Sequence, residues 1–147
     1  AADLLKNDWG VEADLWGCPS FNELVRNGQN VQRWNLLHPL EAPKLSHVEQ
    51  KLAGAQGPVV AATDYVRLFA EQIRSFVKGT YVTLGTDGFG RSDTREHLRH
   101  FFEVDRHWVT LAALKALADE GAIGREKVAA ALVKYNLDPA KPNPMSV

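Results

Sequence analysis

The segment Tyr81–Glu96 (YVTLGTDGFGRSDTRE) restricts the possible folds of this chain more than any other part of it. Its apolar run Tyr81–Leu84 predicts a buried strand, three glycines follow, and Asp93 with Glu96 predicts the capped start of a helix. A strand, a glycine-rich turn and a helix N-terminus place backbone N–H groups at the carboxyl end of a sheet. Because open α/β folds usually bind ligands or partners there, the segment predicts an α/β fold with a contact site at this turn.

A second strand signal precedes it. Pro58–Ala62 is short and fully apolar, which is typical of a sheet buried on both faces. Thr63-Asp64 predicts the cap of a helix that continues to Val77 with apolar residues at the helical period. A strand, a helix and a strand in this order form a right-handed parallel crossover. The predicted fold class is therefore α/β, with three layers (α/β/α) and a mostly parallel sheet.

The chain before this unit predicts mainly short elements. A helix over residues 1–8 ends at Gly10, and the alternation in Val11–Trp16 predicts a strand. Ser20 and Glu23 predict a capping box for a short helix that Asn27-Gly28 ends. Residues 29–45 predict an irregular, packed connection that contacts another surface, and Ser46-x-x-Glu49 predicts a brief helix.

The chain after the glycine turn predicts helices. One is capped by Asp105 and ended by Gly121, and another covers Arg125–Tyr135. Residues 136–147 (NLDPAKPNPMSV) predict an extended tail lying over a neighbouring surface. With 147 residues, the chain predicts one domain over 1–147.

Composition excludes some partner classes. The net charge of −1 gives no reason to expect a nucleic acid or an anionic membrane as partner, and no apolar run is long enough for a membrane span. The single cysteine, Cys18, excludes an internal disulfide and is interpreted as a buried structural thiol.

The glycine turn leaves two interpretations open. In the first, the glycines permit a tight turn and close chain approach, and the residues around it form an interface. In the second, the Gly85–Gly90 loop of a self-standing domain binds a small anion. The glycine spacing differs from the dinucleotide fingerprint, and no catalytic set can be identified from residue spacing. The candidate residues are Asp64, Asp87, Gly88, Phe89, Arg91 and Asp93.

Two histidines give a weak metal signal. His97 and His100 lie three residues apart on a predicted helix, a spacing that can place two ligands on one face. No third ligand cluster accompanies them, so a solvated polar face is the favoured interpretation.

Several motifs resemble a known family. They are KNDWGV (6–11), SFNEL (20–24), RWNLLHP (33–39), TDY (63–65), LFAEQ (68–72), LGTDGFGRSD (84–93), FEVD (102–105) and NP (143–144). In collinear order they are similar to the C-terminal end of the homodimeric pyruvate dehydrogenase decarboxylases, the first components of bacterial pyruvate dehydrogenase complexes. The resemblance covers essentially the whole chain.

The resemblance implies a transketolase C-terminal-like domain that lacks its first strand and keeps about three of five strands. It implies a cytoplasmic bacterial parent enzyme, an oxidoreductase that decarboxylates pyruvate with thiamine diphosphate and magnesium. The implied partners are the rest of the same polypeptide, the homodimer mate and the dihydrolipoyl acetyltransferase core. None of the family's catalytic, cofactor-binding or metal-binding residues matches a position here, so this chain alone is expected to be inactive and to bind no cofactor.

Overall fold

The computed structural model describes residues 1–147, which form seven α-helices, one 3-10 turn and two strands. In chain order they are α1 (Ala2–Trp9), α2 (Phe21–Leu37), α3 (His47–Lys51), β1 (Val59–Ala62), α4 (Leu68–Glu71), the 3-10 turn (Arg74–Phe76), β2 (Tyr81–Leu84), α5 (Arg95–Phe101), α6 (Arg106–Asp119) and α7 (Arg125–Lys134). None of the helices is both long enough and apolar enough to cross a bilayer.

The sheet consists of β1 and β2, which pair in parallel with Val59 opposite Tyr81 and Ala62 opposite Leu84. The parallel crossover is confirmed, but the expectation of about three strands is wrong. Val11–Trp16 forms no strand, and residues 12–16 are exposed. Because neither face of that segment is covered, its alternating pattern has no buried side to favour pairing.

Helices cover the sheet on both faces, which confirms the α/β class and the three layers. On one face, α2, α3 and α4 surround a core of Val48, Ile73, Phe76 and Tyr81. On the other face, α6 packs against both strands and also contacts α1 and α7. A second core, formed by Leu5, Leu114 and Ala131, lies between α1, α6 and α7.

The local helix signals at Gly10, Ser46 and Asp105 are accurate. Gly10 ends α1 in the left-handed conformation, with φ of 67°. Ser46 and Glu49 form a complete capping box at the start of α3, and the Asp105 carboxylate accepts the N–H groups of His107 and Trp108. These helix starts therefore follow from residues within one turn.

Helix α2 is longer than predicted. It continues through Asn27-Gly28 to Leu37, because Gly28 is buried and the Phe76 ring packs directly against its backbone. The irregular segment therefore begins only at His38. Leu36 and Leu40 are 78% and 100% exposed, so they are not covered within the chain, and the contact of residues 29–45 with another surface stays a prediction.

The predicted continuous helix over residues 64–77 is also wrong. The Tyr65 carbonyl accepts the N–H of Thr86, and the Arg67 N–H donates to the Asp87 carboxylate. These bonds use backbone groups that an early helix would need, so α4 starts only at Leu68 and contains four residues. Cys18, interpreted as buried, is exposed in the segment before α2.

Candidate functional site at the carboxyl edge of the sheet

The chain segments that leave β1 and β2 run side by side. The Thr63 N–H donates to the Leu84 carbonyl at 3.1 Å, and the Thr86 N–H donates to the Tyr65 carbonyl at 2.9 Å. The Thr86 hydroxyl donates to the Asp64 carbonyl at 2.7 Å. These bonds bring Asp64 and the glycine turn together at the carboxyl end of the sheet, which we call the carboxyl edge.

Two glycines are required by close packing. A Cβ on Gly85 would lie 2.4 Å from the backbone nitrogen of Arg67, where no side chain can fit. Gly88 has φ of 101°, and a Cβ there would lie 2.6 Å from the carbonyl oxygen of Pro144. Gly90 has open space around it. Chain approach therefore accounts for Gly85 and Gly88 without any ligand.

The acidic candidates at this edge are paired with arginines. The Asp87 carboxylate accepts the Arg67 N–H at 2.8 Å and lies 3.3 Å from the Arg67 Nε. The Asp64 carboxylate accepts two hydrogen bonds from Arg99, at 2.7 and 3.2 Å. Pairing with Asp64 raises the pKa of Arg99 above its ordinary value. Both carboxylates are therefore neutralised within the chain.

The remaining charged candidates are also engaged. The Arg91 guanidinium lies 4.4 Å from the centre of the Phe101 ring. Asp93 accepts the N–H of Thr94 and lies 3.0 Å from the His97 ring, contacts that hold the pKa of Asp93 below its usual range. The predicted cap is displaced by one residue, because the Thr94 hydroxyl accepts the N–H of His97 and caps α5. Neither Arg91 nor Asp93 is left without a partner inside the chain.

The two histidines are held apart by different carboxylates. The Nδ1 of His100 lies 3.0 Å from Asp105, whereas His97 pairs with Asp93. No group of three or more His, Cys, Asp or Glu side chains is placed to hold a metal ion. The two histidines therefore do not share a metal site with a third side-chain ligand.

Exposed apolar side chains surround these paired charges. Tyr65 is 70% exposed, Leu68 is 69% exposed and Phe89 is 81% exposed. The rings of Tyr65 and Phe69 lie 5.5 Å apart. Large exposed apolar groups among satisfied polar groups suit contact with another protein surface better than contact with a small anion.

The sequence predicts some members of this edge and misses others. Asp64, Asp87, Gly88 and Phe89 lie together at the carboxyl ends of the strands, as strand-end positions predict. The residues it missed as members of the edge are Tyr65, Arg67, Leu68, Phe69 and Arg99. Phe69 belongs to the apolar pattern that predicts a helix up to Val77, and that interpretation concealed its place beside Tyr65 at the edge.

Comparison with known proteins gives consistent matches. A family model described as the transketolase-like TK C-terminal domain matches residues 1–105. The chain is 77% identical over 147 residues to the pyruvate dehydrogenase E1 component of Cupriavidus necator, covering 100% of this chain and 16% of that protein. It is 61% identical to the E1 component of Pseudomonas aeruginosa over 99% of this chain and 17% of that protein. For the E1 component of Escherichia coli K12 the identity is 52%, over 98% of this chain and 16% of that protein. The chain thus spans about one sixth of the length of these relatives.

Proposed function

Because the chain belongs to the family of transketolase-like TK C-terminal domains, we propose that it is the C-terminal domain of a pyruvate dehydrogenase E1 component. The observation that carries this proposal is the 77% identity to such a component across the entire chain. The E1 enzyme would be an oxidoreductase that decarboxylates pyruvate and transfers the acetyl group to a lipoyl group. Since the chain covers 16% of that relative, most of the enzyme would lie in other polypeptide segments.

We assign the cofactors and partners of this enzyme by the same proposal. Thiamine diphosphate and magnesium would be held by the other segments, which make up most of the enzyme. The partners would be those other segments, the homodimer mate and the dihydrolipoyl acetyltransferase core, in the bacterial cytoplasm. The isolated chain would catalyse no decarboxylation.

We also propose that residues 1–147 act as one domain, beyond the 105 residues that the family model matches. Helix α6 lies outside that match, yet it packs against both strands. Residues Leu114 and Ala131, from α6 and α7, share a core with Leu5 from α1. Removing the last two helices would therefore expose one face of the sheet.

Within the enzyme, the carboxyl edge would be a contact surface. Its candidates are Asp64, Asp87, Gly88, Phe89, Arg91 and Asp93, joined by Tyr65 and Leu68. In support, the charges are satisfied within the chain and the aromatic and leucine side chains are exposed. The alternative of a self-standing anion-binding domain is not supported, because Arg67, Arg91 and Arg99 already have partners.

A chimeric enzyme tests the proposal. The segment of the Cupriavidus necator E1 component that matches this chain is replaced by the 147 residues described here. The chimera is expected to assemble and to decarboxylate pyruvate at a rate within a few-fold of the parent enzyme. The matched control lacks the segment altogether and is expected to lose assembly and activity. A chimera that folds and assembles but has no activity would refute the proposal.

A further inference from the structure

The C-terminal residues Asp138–Val147 return to the carboxyl edge after α7. The Lys141 ammonium group donates to the Phe101 carbonyl at 2.8 Å and to the Glu103 carboxylate at 2.9 Å. The Lys141 side chain is only 15% exposed, and its nitrogen also lies 5.6 Å from the centre of the Trp108 ring. A charged group in such surroundings makes a stronger and more specific contact than a surface ion pair.

Beyond this anchor, the tail crosses directly over the glycine turn. The position that a Cβ would occupy on Gly88 lies 2.6 Å from the Pro144 carbonyl oxygen and 3.1 Å from the Met145 Cα. The tail has its own local bonds at this point, since the Asn143 side chain accepts the Met145 N–H at 2.9 Å and the Asn143 carbonyl accepts the Ser146 hydroxyl at 3.0 Å. The glycine turn therefore meets a structured segment and not a loose end.

The turn itself has few other restraints. None of the backbone–backbone hydrogen bonds involves residues 87–93. Before Gly88, the turn is held by the Asp87 carboxylate, which accepts the Arg67 N–H. After Gly90, it is held by the Arg91 guanidinium, which lies over the Phe101 ring. Lys141 lies 5.3 Å from the centre of that same ring, so the tail also supports this second restraint.

We propose that Asp138–Val147 is a strap that holds the glycine turn in one conformation and thereby fixes the position of Phe89 at the carboxyl edge. Lys141 is the anchor of the strap, and Pro144 is its contact with the turn. The role of Phe89 in a protein contact rests on the proposed function, whereas the strap is a property of the 147-residue chain itself.

Backbone ¹⁵N relaxation of the 147-residue chain tests the strap. In the wild type, order parameters of the Gly88, Phe89 and Gly90 amides are expected near 0.85, the value of rigid backbone. In Lys141→Met they are expected to fall below about 0.6, the value of flexible backbone. The matched control is Lys127→Met, which removes an exposed lysine on α7 and should leave the turn rigid.

If Lys141→Met disturbed the whole fold, the order parameters of the α6 amides would also fall. A second variant, which changes the turn in place of the tail, keeps the test decisive in that case. In Gly88→Ala, the new methyl group collides with Pro144, so the Met145 and Ser146 amides are expected to lose order while the helices remain unchanged. An ordered turn in a folded Lys141→Met variant, or an ordered tail in Gly88→Ala, would overturn the strap. An inactive chimera would contradict the proposed function but would not change these relaxation values, so the two failures are distinguishable.

Discussion

Replacing Gly28 by alanine should destabilise the domain, although alanine is the better helix former. Gly28 lies inside α2, where its backbone faces the Phe76 ring. A Cβ at this position would lie 2.2, 2.4 and 2.5 Å from three carbon atoms of that ring. Phe76 is only 3% exposed and lies in the core with Ile73 and Tyr81, so its ring cannot move aside without displacing other core side chains.

Two opposing terms determine the size of the effect. The gain in helix propensity from glycine to alanine is about 1 kcal/mol. Overpacking a core typically costs about 1–3 kcal/mol, and contacts this short favour the upper end of that range. The expected net loss in the free energy of unfolding is therefore about 2 kcal/mol.

Urea denaturation followed by tryptophan fluorescence measures this change, with a double-mutant cycle to assign its cause. In a Phe76→Leu background the shorter side chain leaves room for the methyl group, so Gly28→Ala should become neutral or stabilising by up to about 1 kcal/mol. The propensity control is Asn30→Ala on the exposed side of α2, which should stabilise by about 0.5 kcal/mol. If Gly28→Ala stabilised the wild type as much as Asn30→Ala does, the packing argument would be refuted.

Three further predictions concern acid stability, capping and assembly. Contacts with Arg74 and Thr83 hold the pKa of the Glu71 carboxyl at about 2, below its ordinary value of 4.5. The stability that the ionised Glu71 supplies is therefore fully present above pH 4.5 and is lost as the pH falls toward 2. Glu71→Gln should lower the free energy of unfolding at pH 7 by about 1–2 kcal/mol. In this variant the free energy of unfolding should also fall less steeply between pH 4.5 and 2, as measured by urea titrations across that range. A decline as steep as that of the wild type would contradict the prediction. Ser46→Ala removes the fully buried capping hydroxyl of α3 and should cost about 1 kcal/mol in the same urea assay, and an unchanged midpoint would disprove it. In the chimeric enzyme, Phe89→Asp should reduce assembly at least tenfold, as measured by analytical ultracentrifugation. The control Val133→Asp changes an equally exposed position on α7 and should leave assembly unchanged. Equal behaviour of the two variants would count against the contact role of the carboxyl edge.

Local signals explain which helices could be predicted. The capping box of Ser46 and Glu49 and the cap of Asp105 depend on atoms within three residues, so their sequence patterns suffice. Gly28 has the same sequence signal as a helix end, but its role is decided by Phe76, which approaches from elsewhere in the chain. A helix-ending glycine and a close-packed glycine cannot be distinguished without knowing that partner.

At the carboxyl edge, too, local features could be predicted from the sequence and nonlocal contacts could not. Asp64 and Asp87 could be predicted because each follows a strand, and the short apolar runs of β1 and β2 are visible in the sequence. Their partners Arg99 and Arg67 lie 35 and 20 residues away, and nothing in the spacing indicates those pairs. The hydrogen bonds of Tyr65 and Arg67 to the glycine turn are likewise nonlocal, which is why the early helix start predicted at Thr63 was wrong.

The proposed function implies that this domain completes an enzyme whose cofactor is bound elsewhere. Isothermal titration calorimetry of the 147-residue chain with thiamine diphosphate and Mg²⁺ tests it most directly. No saturable heat is expected up to millimolar cofactor. A one-to-one isotherm with a dissociation constant in the micromolar range would contradict it.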